Sequence, residues 1–188
     1  MKQILYSHGE PAGIGVDLIL RIANLKFWSS INIPIVVISD GVLLQARANS
    51  LKLKIKLHEL SDLKKTKKNK IGCVQFHCVS KCIDVTPGTL NPKNAHYVIS
   101  NLNFAIDSAM LNSKIAVVTG PIQKSNMVEA GLKTFQGHTE WIKERTQSKE
   151  AVMLLASKKI KVALATTHIP LSEVPRNIKK AKLINIIK

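Results

Sequence analysis

The residue with the clearest capacity for chemistry is His168, which follows an apolar run and precedes a proline. Residues 161–165, apolar from Val162 onward, have the character of a strand buried in a sheet, and Pro170 marks its end. Ligands of open α/β sheets bind beyond the carboxyl ends of strands, and imidazole is a common metal ligand. His168 is therefore a candidate metal ligand, and the alternative is a histidine that only hydrogen-bonds at a strand end.

A second candidate is the glycine-rich segment 9–17, Gly-Glu-Pro-Ala-Gly-Ile-Gly-Val-Asp, which follows a predicted short strand at residues 4–6. Glycines such as Gly13 and Gly15 allow the backbone to approach a ligand closely. The spacing fits neither the dinucleotide-binding fingerprint nor the phosphate-binding P-loop. The segment is thus a possible anion- or substrate-binding loop, with a tight strand-to-helix turn as the alternative.

Lys124 is a third candidate, because it lies at the start of a predicted helix that follows Thr119-Gly120-Pro121. Residues 115–118 before this turn are predicted to form a buried strand. A lysine just beyond a strand end can neutralise an anionic substrate. It can equally be an ordinary surface charge.

His138 and Thr139 form a fourth candidate, in the sequence Gly-His-Thr-Glu at residues 137–140. Thr139 is predicted to cap a helix that runs through Ile142 to Gln147. Free backbone N–H groups at a helix start favour a phosphate or carboxylate nearby. The alternative is a capped helix beside an incidental histidine.

The elements that must position these residues alternate between strand and helix patterns, which predicts an α/β fold with a mostly parallel sheet. The first helix is expected to bury Leu18, Ile22 and Leu25. The other predicted elements are a strand at 33–39, a helix at 42–49, an edge strand around 51–57, a strand at 71–79, a helix starting at Asn91-Pro92, an antiparallel pair within 151–168 and a helical segment at 172–188. The antiparallel pair makes the predicted sheet a mixed one.

The charge of the chain is strongly basic, with 28 Lys and Arg against 12 Asp and Glu and a net charge of +16. Only four of these residues are arginine and 4% of the chain is aromatic, so base-reading and stacking groups are scarce. We expect weak, salt-sensitive, sequence-independent binding to nucleic acid and no specific binding. The eight lysines from Lys52 to Lys70 are typical of an edge strand whose charges prevent aggregation, followed by a solvated loop. Contact with nucleic acid is the alternative.

Three cysteines, Cys73, Cys78 and Cys82, lie close to His77, but their spacing matches no zinc template. We interpret them as small buried hydrophobic residues. The sequence contains no run of eighteen apolar residues and no pattern of a signal peptide at its start. The expectation is a soluble, cytoplasmic protein without membrane contact.

Four short motifs, taken together and in this order, resemble those of the 4-hydroxythreonine-4-phosphate dehydrogenase family of vitamin B6 biosynthesis. They are Gly9-Glu10-Pro11-Ala12-Gly13-Ile14-Gly15 with Asp17, Thr119-Gly120-Pro121 with Lys124, Gly137-His138-Thr139-Glu140, and Ala165-Thr166-Thr167-His168 with Pro170-Leu171. The resemblance runs over essentially the whole chain, with His8 and Val16 standing where the family usually has proline.

The resemblance implies the α/β/α sandwich of the isocitrate and isopropylmalate dehydrogenase-like fold, incomplete at the carboxyl end. It implies oxidation of 4-hydroxythreonine 4-phosphate by NAD or NADP, decarboxylation of the resulting 3-oxo acid, and a divalent metal such as Zn²⁺, Mg²⁺ or Co²⁺. His138 and Thr139 correspond to substrate-contacting positions, and His168 corresponds to the first of three metal-binding histidines. The family also implies a homodimer.

The family is much longer than this chain, and its other two metal histidines and most nicotinamide contacts belong to the part beyond these residues. No catalytic or cofactor-binding residue is therefore assigned. We expect residues 1–130 to form a first, incomplete α/β domain and residues 131–188 to begin a second. Three functions stay open: a shortened dehydrogenase, an inactive remnant of it, and, as the weakest, a basic nucleic-acid-binding module. The chain alone is expected to show no metal-dependent turnover.

Overall fold

The computed structural model describes residues 2–187 and contains two compact units, the first running to Thr146 and the second beginning at Gln147. The first unit is built on five strands: β1 Gln3–Ser7, β2 Ile35–Ile38, β3 Lys56–Glu59, β4 Cys73–His77 and β5 Ile115–Thr119. Its helices are α1 Gly15–Ala23, α2 Lys26–Ser30, α3 Gly41–Ser50, α4 Ala95–Leu111, α5 Lys124–Glu129 and α6 His138–Arg145. Short 3₁₀ turns occur at Leu63–Lys65 and Pro92–Asn94.

The five strands form one sheet in the order β3-β4-β2-β1-β5, and every pair in it is parallel. β1 lies between β2 and β5, so that Tyr6 is opposite Val37 on one side and Val118 on the other. Because the strands are parallel, their carboxyl ends meet at one edge of the sheet, where ligands bind in such folds. The predicted α/β fold class is confirmed.

Helices cover both faces of this sheet, because successive strand residues point to opposite sides. On one face Tyr6, Val37 and Val74 share a core with residues of α1 and α3, including Leu20 and Leu44. On the other face Leu5, Val36 and Ile38 pack with Ala105 of α4. The three layers together form the sandwich that the family resemblance implied.

Helix α1 exists as predicted, but the predicted buried face is wrong. Leu18 and Leu25 are 44% and 54% exposed, and Leu25 lies beyond the end of the helix. The buried residues instead are Gly15, Val16, Ile19, Leu20 and Ala23. Both sets have helical spacing, and the packing against the sheet, which the local pattern does not contain, selects between them.

The two edges of the sheet also differ from the sequence expectation. β3 is an edge strand as predicted, but it begins at Lys56 rather than near residue 51. β5 was predicted to be buried, yet Ala116 and Val118 are exposed, Val118 to 46%. The prediction was wrong because β5 is the other edge, and its residues on the α1 and α3 face have no helix above them.

The second unit contains the predicted antiparallel pair as a sheet of its own. Strands β6 Leu154–Ala156 and β7 Lys161–Ala163 pair with Leu155 opposite Val162. A 3₁₀ turn at Leu171–Glu173 and helices α7 Val174–Asn177 and α8 Lys180–Ile187 follow. Among residues 147–187 none is buried, so the prediction of a buried strand at 161–165 is wrong for this chain. Apolar residues there lack any layer to cover them.

No helix within residues 2–187 combines the length and the apolar character that crossing a bilayer requires.

Candidate functional site

Two of the predicted site segments, the glycine-rich loop and the turn after β5, lie against each other. The Gly120 N–H donates to the Ser7 carbonyl at 2.7 Å, and the Glu10 N–H donates to the Pro121 carbonyl at 2.8 Å. The Asn126 side chain, in α5, donates to a Glu10 carboxylate oxygen at 2.9 Å. The loops that follow β1 and β5 are therefore one connected structure at the carboxyl edge of the sheet.

Glycines are required where these loops touch. A Cβ atom on Gly15 would lie 1.9 Å from the His8 carbonyl oxygen, and one on Gly120 would lie 2.2 Å from the same atom. Gly9 has a φ of +79°, and a Cβ there would lie 2.1 Å from the Pro121 oxygen. Gly13 has more space, with its nearest neighbour at 3.2 Å. Gly9 and Gly120 thus permit the contact between the two loops, whereas Gly15 permits the glycine-rich loop to pack on the backbone of His8.

A buried arginine holds the glycine-rich loop from inside. Arg47, on α3, donates from its two terminal nitrogens to the Gly13 carbonyl at 3.1 Å and to the Pro11 carbonyl at 2.9 Å. It also pairs with Asp17 in the first turn of α1. Two loop carbonyls are therefore bound to a cation within the protein, which fixes the loop conformation. Sequence reasoning missed Arg47, and the one signal for it was a lone arginine within the mainly uncharged helix 42–49.

His8 forms a second buried polar centre next to the loop. Its Nε2 lies 3.0 Å from the Tyr97 hydroxyl, which accepts from the Asp40 N–H at 3.0 Å and lies 3.1 Å from Ser39 Oγ. Burial, helped by the charge of Arg47, lowers the pKa of His8 to about 4. Burial raises the pKa of Tyr97 to about 12. Both side chains are therefore neutral near pH 7.

Lys124 is the first residue of α5, and its side chain is exposed. It follows the turn whose Pro121 oxygen bonds to the glycine-rich loop, and Asn126 in the same helix bonds to Glu10. The sequence prediction that this lysine starts a helix is confirmed. Lys124 thus lies, in the chain, between the turn after β5 and Asn126, both of which contact the glycine-rich loop.

His138 is the first residue of α6, and Gly137 rather than Thr139 occupies the capping position. The predicted cap is wrong because the extended Gly137 lets the helix start one residue before Thr139. His138 is half-buried, its Nε2 has no hydrogen-bond partner within the described chain, and burial lowers its pKa. Thr139 is exposed. The Nε2 atom is thus a buried nitrogen whose hydrogen-bonding capacity is not used within the described residues.

Helix α6 is fixed to α4, which sets the position of His138. The Trp141 indole N–H donates to Asn103 at 2.8 Å, and Arg145 binds both oxygens of Asp107 at 2.8 and 2.6 Å. Phe135 packs against the Trp141 ring and belongs to the main core. The segment that carries His138 and Thr139 is thereby attached to the first unit at both ends.

His168 belongs to the second unit, where its side chain is exposed. Its φ of +56° lies in the left-handed region that non-glycine residues seldom adopt, which is a form of strain often found at functional positions. In the described part of the chain, no three His, Cys, Asp or Glu side chains are grouped so as to hold a metal ion. A catalytic metal needs about three protein ligands, so these residues alone do not fit one.

The three cysteines are free thiols and are each partly buried. Burial is the main cause that raises the pKa of Cys82 to about 12, and the nearby Asp40 carboxylate adds to it. Cys82 is therefore a protonated thiol at neutral pH and a poor nucleophile. The interpretation of the three cysteines as buried residues holds in part: Cys78 and Cys82 pack against the main core, but none of the three is fully buried.

Comparison with known proteins gives consistent results. The family model described as pyridoxal phosphate biosynthetic protein PdxA matches residues 30–188. The 4-hydroxythreonine-4-phosphate dehydrogenase of Yersinia enterocolitica is 39% identical over 186 residues, which are 99% of this chain and 55% of that protein. The enzyme of the same name from Pseudoalteromonas translucida is 38% identical over 184 residues, covering 98% and 54% of the two chains.

Solved structures of proteins with the same name share the fold. The protein from Burkholderia phymatum superimposes with a TM-score of 0.86 at 22% identity, over 100% of this chain and 56% of that one. The protein from Klebsiella pneumoniae gives 0.85 at 24% identity, over 99% and 56%. The chain spans about half the length of the curated relatives it matches. By the extent of the family match, this chain belongs to the PdxA family of pyridoxal phosphate biosynthetic proteins.

Proposed function

We propose that this chain carries the amino-terminal part of a 4-hydroxythreonine-4-phosphate dehydrogenase, in vitamin B6 biosynthesis. In that reaction the substrate hydroxyl carbon gives a hydride to NAD or NADP, the hydroxyl proton is released, and the resulting 3-oxo acid loses CO₂. The observation that carries the proposal is the joined pair of loops after β1 and β5. In this pair, two of the four motifs that resemble the family contact each other at the edge of the sheet where α/β folds bind ligands.

In this proposal the loop pair and Lys124 receive the anionic part of the substrate. Arg47 supports that role, because it binds the carbonyls of Pro11 and Gly13 and so holds the loop ready before a ligand arrives. Lys124 supplies a positive charge on the adjoining helix. Gly13 and Gly15 stay part of the proposed anion-binding loop, although the space that their side chains would fill is taken by the Glu10 and His8 carbonyl oxygens.

His138 and Thr139 are the proposed substrate contacts of α6. The unpaired Nε2 of His138 supports this assignment, because a buried nitrogen without a partner loses hydrogen-bond energy until a ligand supplies one. His138 is neutral near pH 7, since burial lowers its pKa, and can hydrogen-bond to a substrate hydroxyl. Thr139 adds a hydroxyl at the start of the same helix.

His168 is the proposed metal ligand, and it is one donor where about three are needed. No step of the reaction is therefore assigned to a metal held by this chain by itself. We propose that turnover requires the remaining length of the family fold, with its further ligands and nicotinamide contacts. A homodimer and a cytoplasmic location are parts of the same proposal. So is the domain division into residues 1–130 and 131–188, which differs from the boundary between the two compact units at Thr146.

The test is complementation. The 188-residue chain is purified alone and together with a polypeptide that covers the remaining part of the Yersinia enterocolitica relative. NADH formation is followed with 4-hydroxythreonine 4-phosphate, NAD and Zn²⁺, Mg²⁺ or Co²⁺. We expect no turnover from the chain alone and measurable turnover from the pair. His168→Ala should abolish that turnover, because a metal ligand is lost.

Two outcomes would contradict the proposal. Turnover by the chain alone that His168→Ala abolishes would show that its own residues complete a metal site. Failure of the pair, when the same two segments of the Yersinia relative reassemble into an active enzyme, would favour the alternative of an inactive remnant. Calorimetric binding of the substrate to the chain, weakened by His138→Asn or Lys124→Gln, tests the substrate contacts separately from turnover.

A further inference from the structure

A basic cavity of about 280 Å³ lies at the β3 edge of the main sheet, away from the loops that follow β1 and β5. Lys56 and His58 of β3 pair with Cys73 and Gln75 of β4, so these four side chains share one face of the sheet. The loop between Thr66 and Gly72 forms the other wall. Residues lining the cavity include Lys56, His58, Lys67, Lys68, Lys70 and Gln75.

The four lysines of this cavity have no acidic partner. All are exposed, and within the described chain none of their ammonium groups forms an ion pair or a hydrogen bond. The acidic residues nearest in sequence do not line this cavity. Glu59 lies on the opposite face of β3, and Asp62 caps the following 3₁₀ turn. Uncompensated charges that share a cavity repel one another, and an anion relieves that repulsion.

The lysine-bearing loop is held in place by two buried amide side chains. Gln75 accepts from the Lys67 N–H at 2.7 Å and donates to the Lys67 carbonyl at 2.7 Å. Asn69 accepts from the Ile35 N–H at 2.9 Å and donates to the carbonyls of Ile31 and Ile33. A solvated charge run has no need of such fixation. The loop backbone is thus pre-organised, and binding there costs less ordering entropy than binding to a free loop.

The chemistry of the cavity favours phosphate groups in a chain. Lysine ammonium groups act as point charges on phosphate, whereas base reading needs the fork of arginine or a large aromatic surface. The cavity lining contains no Arg, Phe, Tyr or Trp, and its one ring is the imidazole of His58. Four further lysines, Lys52, Lys54, Lys64 and Lys65, occupy the adjoining segments, so positive charge continues beyond the cavity. A single small anion in the cavity would not neutralise these further lysines, whereas a chain of phosphates would extend to them.

We propose that this lysine cavity binds the sugar–phosphate backbone of nucleic acid without reading its bases. The proposal is independent of the dehydrogenase site, which uses other loops. It gives a location to the weak, salt-dependent binding that the overall charge predicts. The affinity of this cavity should depend on the number of phosphates contacted and not on the base sequence.

The experiment measures fluorescence anisotropy of a labelled oligothymidine and of a mixed-sequence strand of equal length with the full chain, between about 50 and 200 mM salt. The test variant is Lys67→Gln with Lys68→Gln and Lys70→Gln. The control variant is Lys158→Gln with Lys159→Gln and Lys161→Gln, which removes the same charge from exposed positions in the second unit. Circular dichroism checks that both variants fold.

For the test variant we expect roughly tenfold weaker binding at low salt and a salt slope smaller by about 2, since each phosphate contact contributes about 0.7 on a single strand. The control should keep the wild-type slope. Equal losses in both variants, or no binding by the wild type, would overturn the proposal. A clear preference between the two strands would overturn the absence of base reading. Should the triple variant unfold, Lys56→Gln alone must lower the slope by about 0.7.

Discussion

Strands β1 and β7 are similar in residue type but opposite in burial, and this contrast divides the molecule. β1 is apolar at Ile4, Leu5 and Tyr6, has a parallel neighbour on each side, and is covered on both faces. β7 contains Val162 and Ala163, pairs with β6 alone, and is exposed throughout. Burial is thus decided by the layers around a strand, which its own residues do not encode.

The segments proposed to bind substrate and metal therefore differ in how they are supported, each within its own unit. The glycine-rich loop leaves a strand that is packed in a core and is held by a buried arginine. His168 follows a strand in a unit where Leu154, Leu155 and Ile160 are all more than half exposed. Apolar surface of this kind promotes association unless other structure covers it. We therefore expect the first unit to supply nearly all the measurable stability of the chain.

The largest expected effect comes from the same substitution made in both units. Leu5→Ala removes a fully buried side chain from β1 and should lower the free energy of unfolding by about 2–5 kcal/mol. Leu155→Ala, at a 57% exposed position of β6, should change it by less than about 0.5 kcal/mol. Urea unfolding followed by fluorescence of Trp28 and Trp141 and by circular dichroism measures both. Equal losses would remove the distinction between the units.

A second effect concerns pH and the buried His8. Its pKa is about 4 in the folded chain against 6.5 when unfolded, so the unfolded state takes up the proton first as the pH falls. The neutral His8 therefore contributes fully to the free energy of unfolding above pH 6.5. This contribution, about 2–3 kcal/mol, is lost as the pH falls from 6.5 to about 4. Urea midpoints of wild type across this range should fall more steeply than those of His8→Leu. His168→Leu is the control in the second unit, and it should keep the wild-type steepness.

A third, smaller effect compares two arginine–aspartate pairs within the first unit. Arg47→Met removes a buried guanidinium and leaves two loop carbonyls and Asp17 without their partner, which should cost about 2 kcal/mol. Arg145→Met breaks the exposed pair with Asp107 and should cost less than about 1 kcal/mol. Thermal unfolding ranks the two variants. Limited proteolysis in the segment 9–15 should increase for Arg47→Met only, and unchanged cleavage there would show that Arg47 does not hold the loop.

The sequence predicted most strands and helices of the first unit because their signals are local. The cap at Asn91-Pro92 and the lysine alternation of the edge strand are properties of a few neighbouring residues. The buried face of α1 was predicted wrongly because two apolar stripes exist on that helix, and only contact with the sheet selects one. The burial of β5 and β7 was predicted wrongly for the same reason, since apolar residues show that a strand can be buried, whereas a covering layer decides whether it is.

Residues of the candidate site could be predicted where they form a short continuous motif. They could not be predicted where their role depends on hydrogen-bond partners far away in the chain. The glycine-rich loop and the turn at 119–121 could be recognised, and their contact could be expected from the parallel strands before them. Arg47 and Tyr97 could not, because their partners lie 30 to 89 residues away in the chain. Thr139 was predicted to cap its helix but is the second helical residue, because Gly137 takes the capping position without a side-chain hydrogen bond.

Hydrogen–deuterium exchange of the full chain, read by mass spectrometry, tests the contrast between the units most directly. Amides of β1 and of the loop that Arg47 holds should exchange only upon global unfolding of the first unit, because their hydrogen bonds are buried in its core. Amides of β6, β7 and the segment leading to His168 should exchange close to the rate of an unfolded peptide. Equal, strong protection of β1 and β7 would contradict the account, because it would show that the second unit has a stable core of its own.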